Sequence, residues 1–151
     1  LFIGARAGTA LQGRQARMVC VQPSKPDADA LEQAGFTVAL EAPGARYPLV
    51  LLLPSRQRDQ ARAQFARALQ RLAPGGVLLA AIPNREGAKT GESDLARLAG
   101  PLQHLSKHHC RVFWTLPTAA PPDPELVDEW SALDAPRRIV TRPSVRSSAF
   151  P

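Results

Sequence analysis

The chain has 151 residues, enough for one domain with a core of its own. Its apolar fraction of 44% is ordinary for a globular protein. Nowhere does it reach the roughly 18 consecutive apolar residues of a membrane-spanning helix, and it opens with no secretory signal. Lysine and arginine number 19 against 13 acidic residues, a net charge of +6 that favours an anionic partner, nucleic acid first. An aromatic share of 5% is too small for a platform that stacks single-stranded bases.

Leu1-Phe-Ile3 reads as the tail of a first strand, followed by the turn Gly4-Ala-Arg-Ala-Gly8 and a short helix from Thr9. A glycine-bearing turn between a first strand and a first helix is where nucleotide-binding α/β folds hold their ligand. Two glycines four apart, with Arg6 between them, match a tight turn better than such a loop. Residues 18–21 make the next strand. A cofactor-binding fold commonly ends that strand in Asp or Glu, which bonds the ribose hydroxyls; here Gln22 and Pro23 stand instead. Pro26 and Asp27 open a helix that runs to about Ala34, punctuated by Gly35, and residues 36–40 form a further strand. Cys20 and Cys110 both sit in apolar, strand-like surroundings, which suits reduced thiols and a cytoplasmic setting.

The chain is organised around residues 47–84. Tyr47-Pro-Leu-Val-Leu-Leu-Leu-Pro54 is an unbroken apolar run that predicts a strand buried on both faces. Ser55 is placed to cap a helix over 56–72 whose apolar face is Ala61, Phe65, Ala68, Leu69 and Leu72. Pro74-Gly75-Gly76 stops that helix, and residues 77–82 are a second buried strand. Two buried strands joined by such a helix imply a parallel, right-handed crossover and an α/β fold.

Residues 83–93 follow as a polar, glycine-bearing loop with Arg85, Glu86 and Lys89, at the strand edge where open α/β sheets build sites; Ser93 is placed to cap a helix over 94–99. Residues 100–109 read as a connection into a last strand at 110–116. His104, His108, His109 and Cys110 invite a metal, but adjacent His108 and His109 point to opposite sides of an extended chain and no second cluster exists. Residues 118–124 are a proline-rich strap, 125–133 a short helix with Trp130 packed down, 137–143 an edge strand, and 144–151 a connector. No Gly-x-Ser-x-Gly turn or Ser/His/Asp arrangement is legible.

This order of elements resembles a class I methyltransferase. The stretch from Tyr47 through Leu72-Ala-Pro-Gly-Gly-Val-Leu-Leu-Ala-Ala resembles the centre of that fold. Asn84-Arg-Glu-Gly-Ala-Lys-Thr and Leu105-Ser-Lys-His-His-Cys-Arg-Val-Phe-Trp resemble the amino-terminal half of two-domain methyltransferases that modify guanine in small-subunit ribosomal RNA. In that family the amino-terminal half is a decayed duplicate of the catalytic half. The resemblance implies a Rossmann-like, mostly parallel sheet with helices on both faces and a degenerate cofactor site. Gly4, Gly8 and Gln22 are the remnant where a working member carries a glycine-rich loop and an acid for S-adenosylmethionine. Pro54-Ser-Arg stands where it carries Asn-Pro-Pro-aromatic.

The implied organisation is a methyltransferase-like domain over 1–118 and a strap and connector over 119–151 toward a carboxyl-terminal catalytic domain. The chain begins with Leu1 rather than Met, and it is expected to be part of a longer protein. The implied role is non-catalytic: recognition of ribosomal RNA and support of the half that binds S-adenosylmethionine, with no cofactor, metal or membrane contact of its own. Candidate RNA contacts are Arg85, Lys89, Lys107, His108, Arg111, Arg137, Arg138 and Arg142. Two readings stand beside it. One is a divergent enzyme with an atypical cofactor site around Gly4 and Gly8; the other is a pure domain-docking or homodimerising module.

Overall fold

A computed structural model describes residues 1–117 and 121–135. Strands β1 (Phe2–Ile3), β2 (Val19–Val21), β3 (Thr37–Ala39), β4 (Tyr47–Leu52), β5 (Leu72–Pro83), β6 (Leu102–Lys107) and β7 (Cys110–Thr115) form one sheet. Their order is β3-β2-β1-β4-β5-β7-β6. Pairings from β3 through β5 are parallel, and β7 runs antiparallel to both β5 and β6. Four α-helices are described: α1 (Lys25–Gln33), α2 (Arg58–Gln70), α3 (Ala88–Ala99) and α4 (Pro124–Ser131).

The strand order reverses between β1 and β4. Right-handed crossovers that travel in opposite directions put their helices on opposite faces, so α1 lies on one side and α2 on the other. Side-chain alternation agrees. Val50 and Leu52 join Phe65, Leu78, Leu95 and Phe113 in the larger core, while Phe2, Cys20, Leu31 and Phe36 pack with Leu51 and Leu53 in a smaller one. Burial pushes the Cys20 thiol up and keeps it protonated.

Several elements differ from the sequence reading. Helix α2 is shorter than 56–72, and its cap is Gln57, whose side chain accepts from the Gln60 N–H at 2.6 Å. Ser55 lies one turn earlier and donates its hydroxyl to Gln60 Oε1 at 2.8 Å. Of the predicted apolar face, Phe65 and Ala68 are buried and Ala61, Leu69 and Leu72 pack partly buried against the core; Ala63 and Ala66 are buried as well, because the helix is covered by α4 as well as by the sheet. Strand β4 is not buried on both faces throughout: Val50 and Leu52 are, but Leu49 is 46% exposed. Leu49 points to the side of α1, which packs on β3 and does not reach the start of β4.

Helix α3 begins at Ala88, so most of the predicted loop is helical and Ser93 is no cap. Gly91 lies mid-helix because a Cβ there would sit 2.4 Å from Ile82 Cδ1, with Phe113 and Phe65 just behind. Residues 100–109 are also more ordered than a connection: β6 and β7 form a hairpin. His108 and His109 are its two turn residues, both at positive φ (55° and 61°), not an extended pair. Strand β5 starts at Leu72, before Pro74-Gly75-Gly76, and its pairing with β4 slips there. Cys110 is only half-buried, and both cysteines are free. Trp130 packs down as expected, whereas residues 137–143 lie outside the described segments.

The face carrying α2, α3 and α4 is joined through one buried carboxylate. Asp94 of α3 accepts from Arg58 at 3.2 and 3.3 Å and from Arg62 at 3.1 Å to each oxygen. Arg62 in turn lies over the Trp130 ring of α4 at 4.5 Å, and Arg97 lies over the same ring at 5.1 Å. Burial alone would raise the Asp94 carboxyl, but the hydrogen bonds and charges of Arg62 and Arg58 hold it below the usual carboxylate range. Its contribution to stability is therefore complete above its unfolded pKa and is lost as pH falls through the lower folded value.

Asp94→Asn is expected to cost about 2 kcal/mol at neutral pH, mostly through Arg62, because solvent screens the outward arm to Arg58. Urea unfolding of the two proteins should differ near pH 7 and converge as the pH falls below the carboxylate range. An equal gap at every pH would exclude the charge as the cause.

Candidate functional site

The crevice at the carboxyl ends of β1, β2 and β4 is where a fold of this topology places a ligand, at the point of reversed strand order. In this chain the turns around it are held by short-range bonding, while Ile3, Gly4, Val21 and Pro23 line an open groove. Gly4 adopts φ +73°, and a Cβ there would stand 2.6 Å from the Leu53 carbonyl oxygen, so the turn after β1 lies directly on the end of β4. The Gly4 N–H donates to the Val21 carbonyl at 2.9 Å, and Ala5 is fully buried. Gly8 is in extended conformation with open space where a Cβ would stand, and its carbonyl accepts from the Leu11 N–H at 3.1 Å.

Gln22 lies between the two turns. It is 7% exposed, its Nε2 donates to the Ala5 carbonyl at 2.8 Å, and its Oε1 accepts from the Ser24 N–H at 3.0 Å. Both ends of the amide are spent inside the protein, tying the β1 turn to the β2 turn. After β4, the Ser55 N–H donates to Gln64 Oε1 at 2.8 Å, and Arg56 pairs with Glu86. Both turns are thus anchored to neighbouring elements.

From this crevice a groove of about 650 Å³, absent from the sequence reading, runs along α2, with Gly4 and Pro23 at its inner end. Seven residues, 40–46, carry the chain from β3 to β4 without a helix, leaving the flank of α2 open. Ile3, Val21 and Leu40 line it, with Glu41, Gln60, Gln64 and the Arg67–Asp134 pair. Arg67 bonds both Asp134 oxygens, at 2.5 and 2.7 Å, and holds that carboxyl below its usual range. Glu41, just past β3, gives the groove a carboxylate at a different strand end from the one expected.

A second feature lies at the far edge of the sheet. The short helical turn Asn84–Glu86, the start of α3 and the β6–β7 hairpin meet there, and the His109 carbonyl accepts from the Asn84 N–H at 2.9 Å. This brings five of the eight sequence candidates to one edge: Arg85, Lys89, Lys107, His108 and Arg111. Four are exposed, but Arg111 is half-buried and its Nε donates to Glu92 Oε2 at 2.5 Å. The other Glu92 oxygen lies 3.0 Å from His104 Nδ1. Arg137, Arg138 and Arg142 lie outside the described residues. A cleft of about 400 Å³ opens at this edge, lined by Asn84, Lys89, Thr90, Ser106 and Arg111. Among the described residues no three His, Cys, Asp or Glu side chains are grouped to hold a metal ion, and no helix is long and apolar enough to cross a membrane. The sequence reading missed Glu92 and Ser106, whose only signals are register with Arg111 across the hairpin and one helical turn from Ala88.

No family model and no curated protein sequence matches the chain. Solved structures do match. The 16S rRNA methyltransferase RsmC of T. thermophilus, solved with AdoMet and guanosine, superposes with a TM-score of 0.68 at 21% identity, over 80% of this chain and 35% of that one. The fibrillarin pre-rRNA processing protein of Methanococcus jannaschii gives 0.60 at 15% identity, over 79% and 65%. The N-methyltransferase NodS of Bradyrhizobium japonicum gives 0.59 at 13%, over 78% and 84%. The fold is the Rossmann-like α/β sheet of class I methyltransferases, and this chain spans about a third of the length of the RsmC enzyme.

The geometry of Gln22 gives a direct test of its role. Gln22→Glu would aim a carboxylate at the Ala5 carbonyl, so it should cost more than the about 1–3 kcal/mol of Gln22→Ala, which leaves that carbonyl and the Ser24 N–H unbonded. Urea midpoints of the two variants measure the difference; a Glu variant as stable as wild type would show that the clasp is not a constraint.

Proposed function

We propose that this chain is a methyltransferase-like domain that does not itself transfer methyl groups and that recognises ribosomal RNA in support of a separate catalytic domain. The observation that carries the reading is the Gln22 clasp. The position from which an acid would bond a ribose is filled by an amide whose two ends are already bonded within the chain. The turn after β1 is pressed onto the end of β4 at Leu53. These residues do not fit the grip on S-adenosylmethionine expected of a working member, so that cofactor belongs to the partner domain. The RNA half of the reading is supported by the cationic edge. Arg85, Lys89, Lys107 and His108 are exposed there together, and the net charge of +6 favours phosphate contacts without base specificity. The likeness in fold to two proteins of ribosomal RNA modification and processing is in keeping with it.

A second reading rests on the groove beside α2. It reaches the ends of β1, β2 and β3 and contains Glu41, so it is a place where a divergent enzyme would hold S-adenosylmethionine in an atypical way.

Calorimetry with S-adenosylmethionine separates the two: no heat supports the accessory domain, and micromolar binding overturns it. In parallel, the chain should bind small-subunit RNA more weakly as salt rises. Arg85→Gln with Lys107→Gln should lower the slope of log affinity against log salt by about 0.7 per lost contact. RNA binding that is absent, or insensitive to salt and to both substitutions, would remove the RNA half of the reading.

A further inference from the structure

We propose that the cleft between the start of α3 and the β6–β7 hairpin is a phosphate-binding site that takes one phosphodiester of an RNA strand. The proposal rests on the reading of the cationic edge above and adds to it a defined pocket and ligand group.

The lining chooses the chemistry. Lys89 comes from α3, Ser106 from β6, Arg111 from β7 and Asn84 from the turn after β5, so the cleft is built from four separate elements and not from one charged surface helix. No acidic side chain and no aromatic ring lines it. The first absence favours an anion, and the second leaves no surface on which a base would stack. Ser106 and Arg111 are cross-strand partners, so hydroxyl and guanidinium project side by side to the same face of the hairpin.

Arg111 is prepared for a second partner. Glu92 takes its Nε, and among the described residues its two terminal nitrogens have no hydrogen-bond partner. Glu92 holds the guanidinium plane in place from behind the cleft. It also engages His104 with its other oxygen, so it is itself fixed from two sides. An arginine pinned through Nε presents its remaining N–H donors as a fork, the geometry that fits a phosphate group. Lys89, which forms no ion pair among the described residues, adds a mobile point charge, and the hydroxyls of Ser106 and Thr90 add neutral donors. The volume of about 400 Å³ exceeds what a phosphate group alone requires and leaves room for an attached sugar. Arg85, Lys107 and His108 lie on the rim, where they would meet the neighbouring phosphates of a continuing strand.

The test uses the whole chain labelled for amide NMR, titrated separately with inorganic phosphate and with a single-stranded oligoribonucleotide. Both ligands should shift the amides of Lys89, Thr90, Ser106 and Arg111. Lys89→Gln and Ser106→Ala, at exposed positions that should leave the fold intact, should each weaken phosphate binding, the former by about tenfold. For the oligoribonucleotide, Lys89→Gln should also reduce the salt slope by about 0.7. Phosphate that shifts the cleft amides while RNA does not bind would keep the phosphate site and overturn its RNA occupant, together with the RNA half of the proposed function. RNA that binds with unchanged affinity and slope in both variants, and with the cleft amides unmoved, would overturn this assignment and leave the accessory role standing.

Discussion

Asp94 is the point on which the larger face of the molecule depends. A carboxylate in the interior is tolerated only when its charge and lone pairs are matched. Here two arginines one helical turn apart on α2 supply four hydrogen-bond contacts. Arg62 does more than neutralise the acid. Its guanidinium is sandwiched between Asp94 and the Trp130 ring, so one side chain fixes α2 against both α3 and α4. Below it, Phe65 and Phe113 meet at 6.1 Å between ring centroids, and Gly91 lets α3 come down onto Ile82. The polar network therefore acts as a clamp over a tightly packed apolar layer. It sets the position of α3, and with it the edge where the cleft is formed.

That dependence explains what the sequence did and did not disclose. The parallel core was legible because β4, α2 and β5 follow simple rules: apolar runs, an alanine-rich helix and a glycine break. α1 was equally plain, bracketed by Pro26 and Gly35. Helix α3 was half missed because its first turns, 88–93, are polar and carry Gly91, which reads as a loop. Nor does anything local announce that Asp94 faces inward, toward Arg58 and Arg62. Strand β6 was missed for a related reason. It is an edge strand with five exposed residues of six, so it carries no alternating apolar signal. Its hairpin turn uses His108 and His109 where asparagine or glycine would have marked it. Five of the candidate cations could be named from sequence, but Glu92 behind Arg111 became visible only once α3 and β7 were side by side.

The turns beside the crevice are held by features that also stabilise the fold. Gly4 permits the close approach to Leu53, and Gln22 satisfies the Ala5 carbonyl and the Ser24 N–H. An acid at residue 22 would have to face solvent or a ligand to avoid the Ala5 carbonyl, whereas glutamine has a donor for it. Once the amide is in place, the two turns are stabilised by each other and need no bound molecule to order them. The sheet alone names no activity.

The remaining step concerns where the open surfaces are. The α2 side is covered by three helices but lacks one between β3 and β4, which leaves the groove with Glu41 and the Arg67–Asp134 pair along its wall. The far edge has no such covering, and its exposed charges are positive, apart from Glu86 paired with Arg56 and Glu92 paired with Arg111. Both acids are spent on orienting arginines. The field at that edge is therefore set by Arg85, Lys89 and Lys107, and it is separated by β4 and β5 from the crevice at β1 and β2. A polyanion drawn to the edge would meet the hairpin and the start of α3 before it reached the groove. The groove side differs: apolar Leu40 is 78% exposed there and the charges are mixed. The two surfaces therefore differ in the physical interactions they offer.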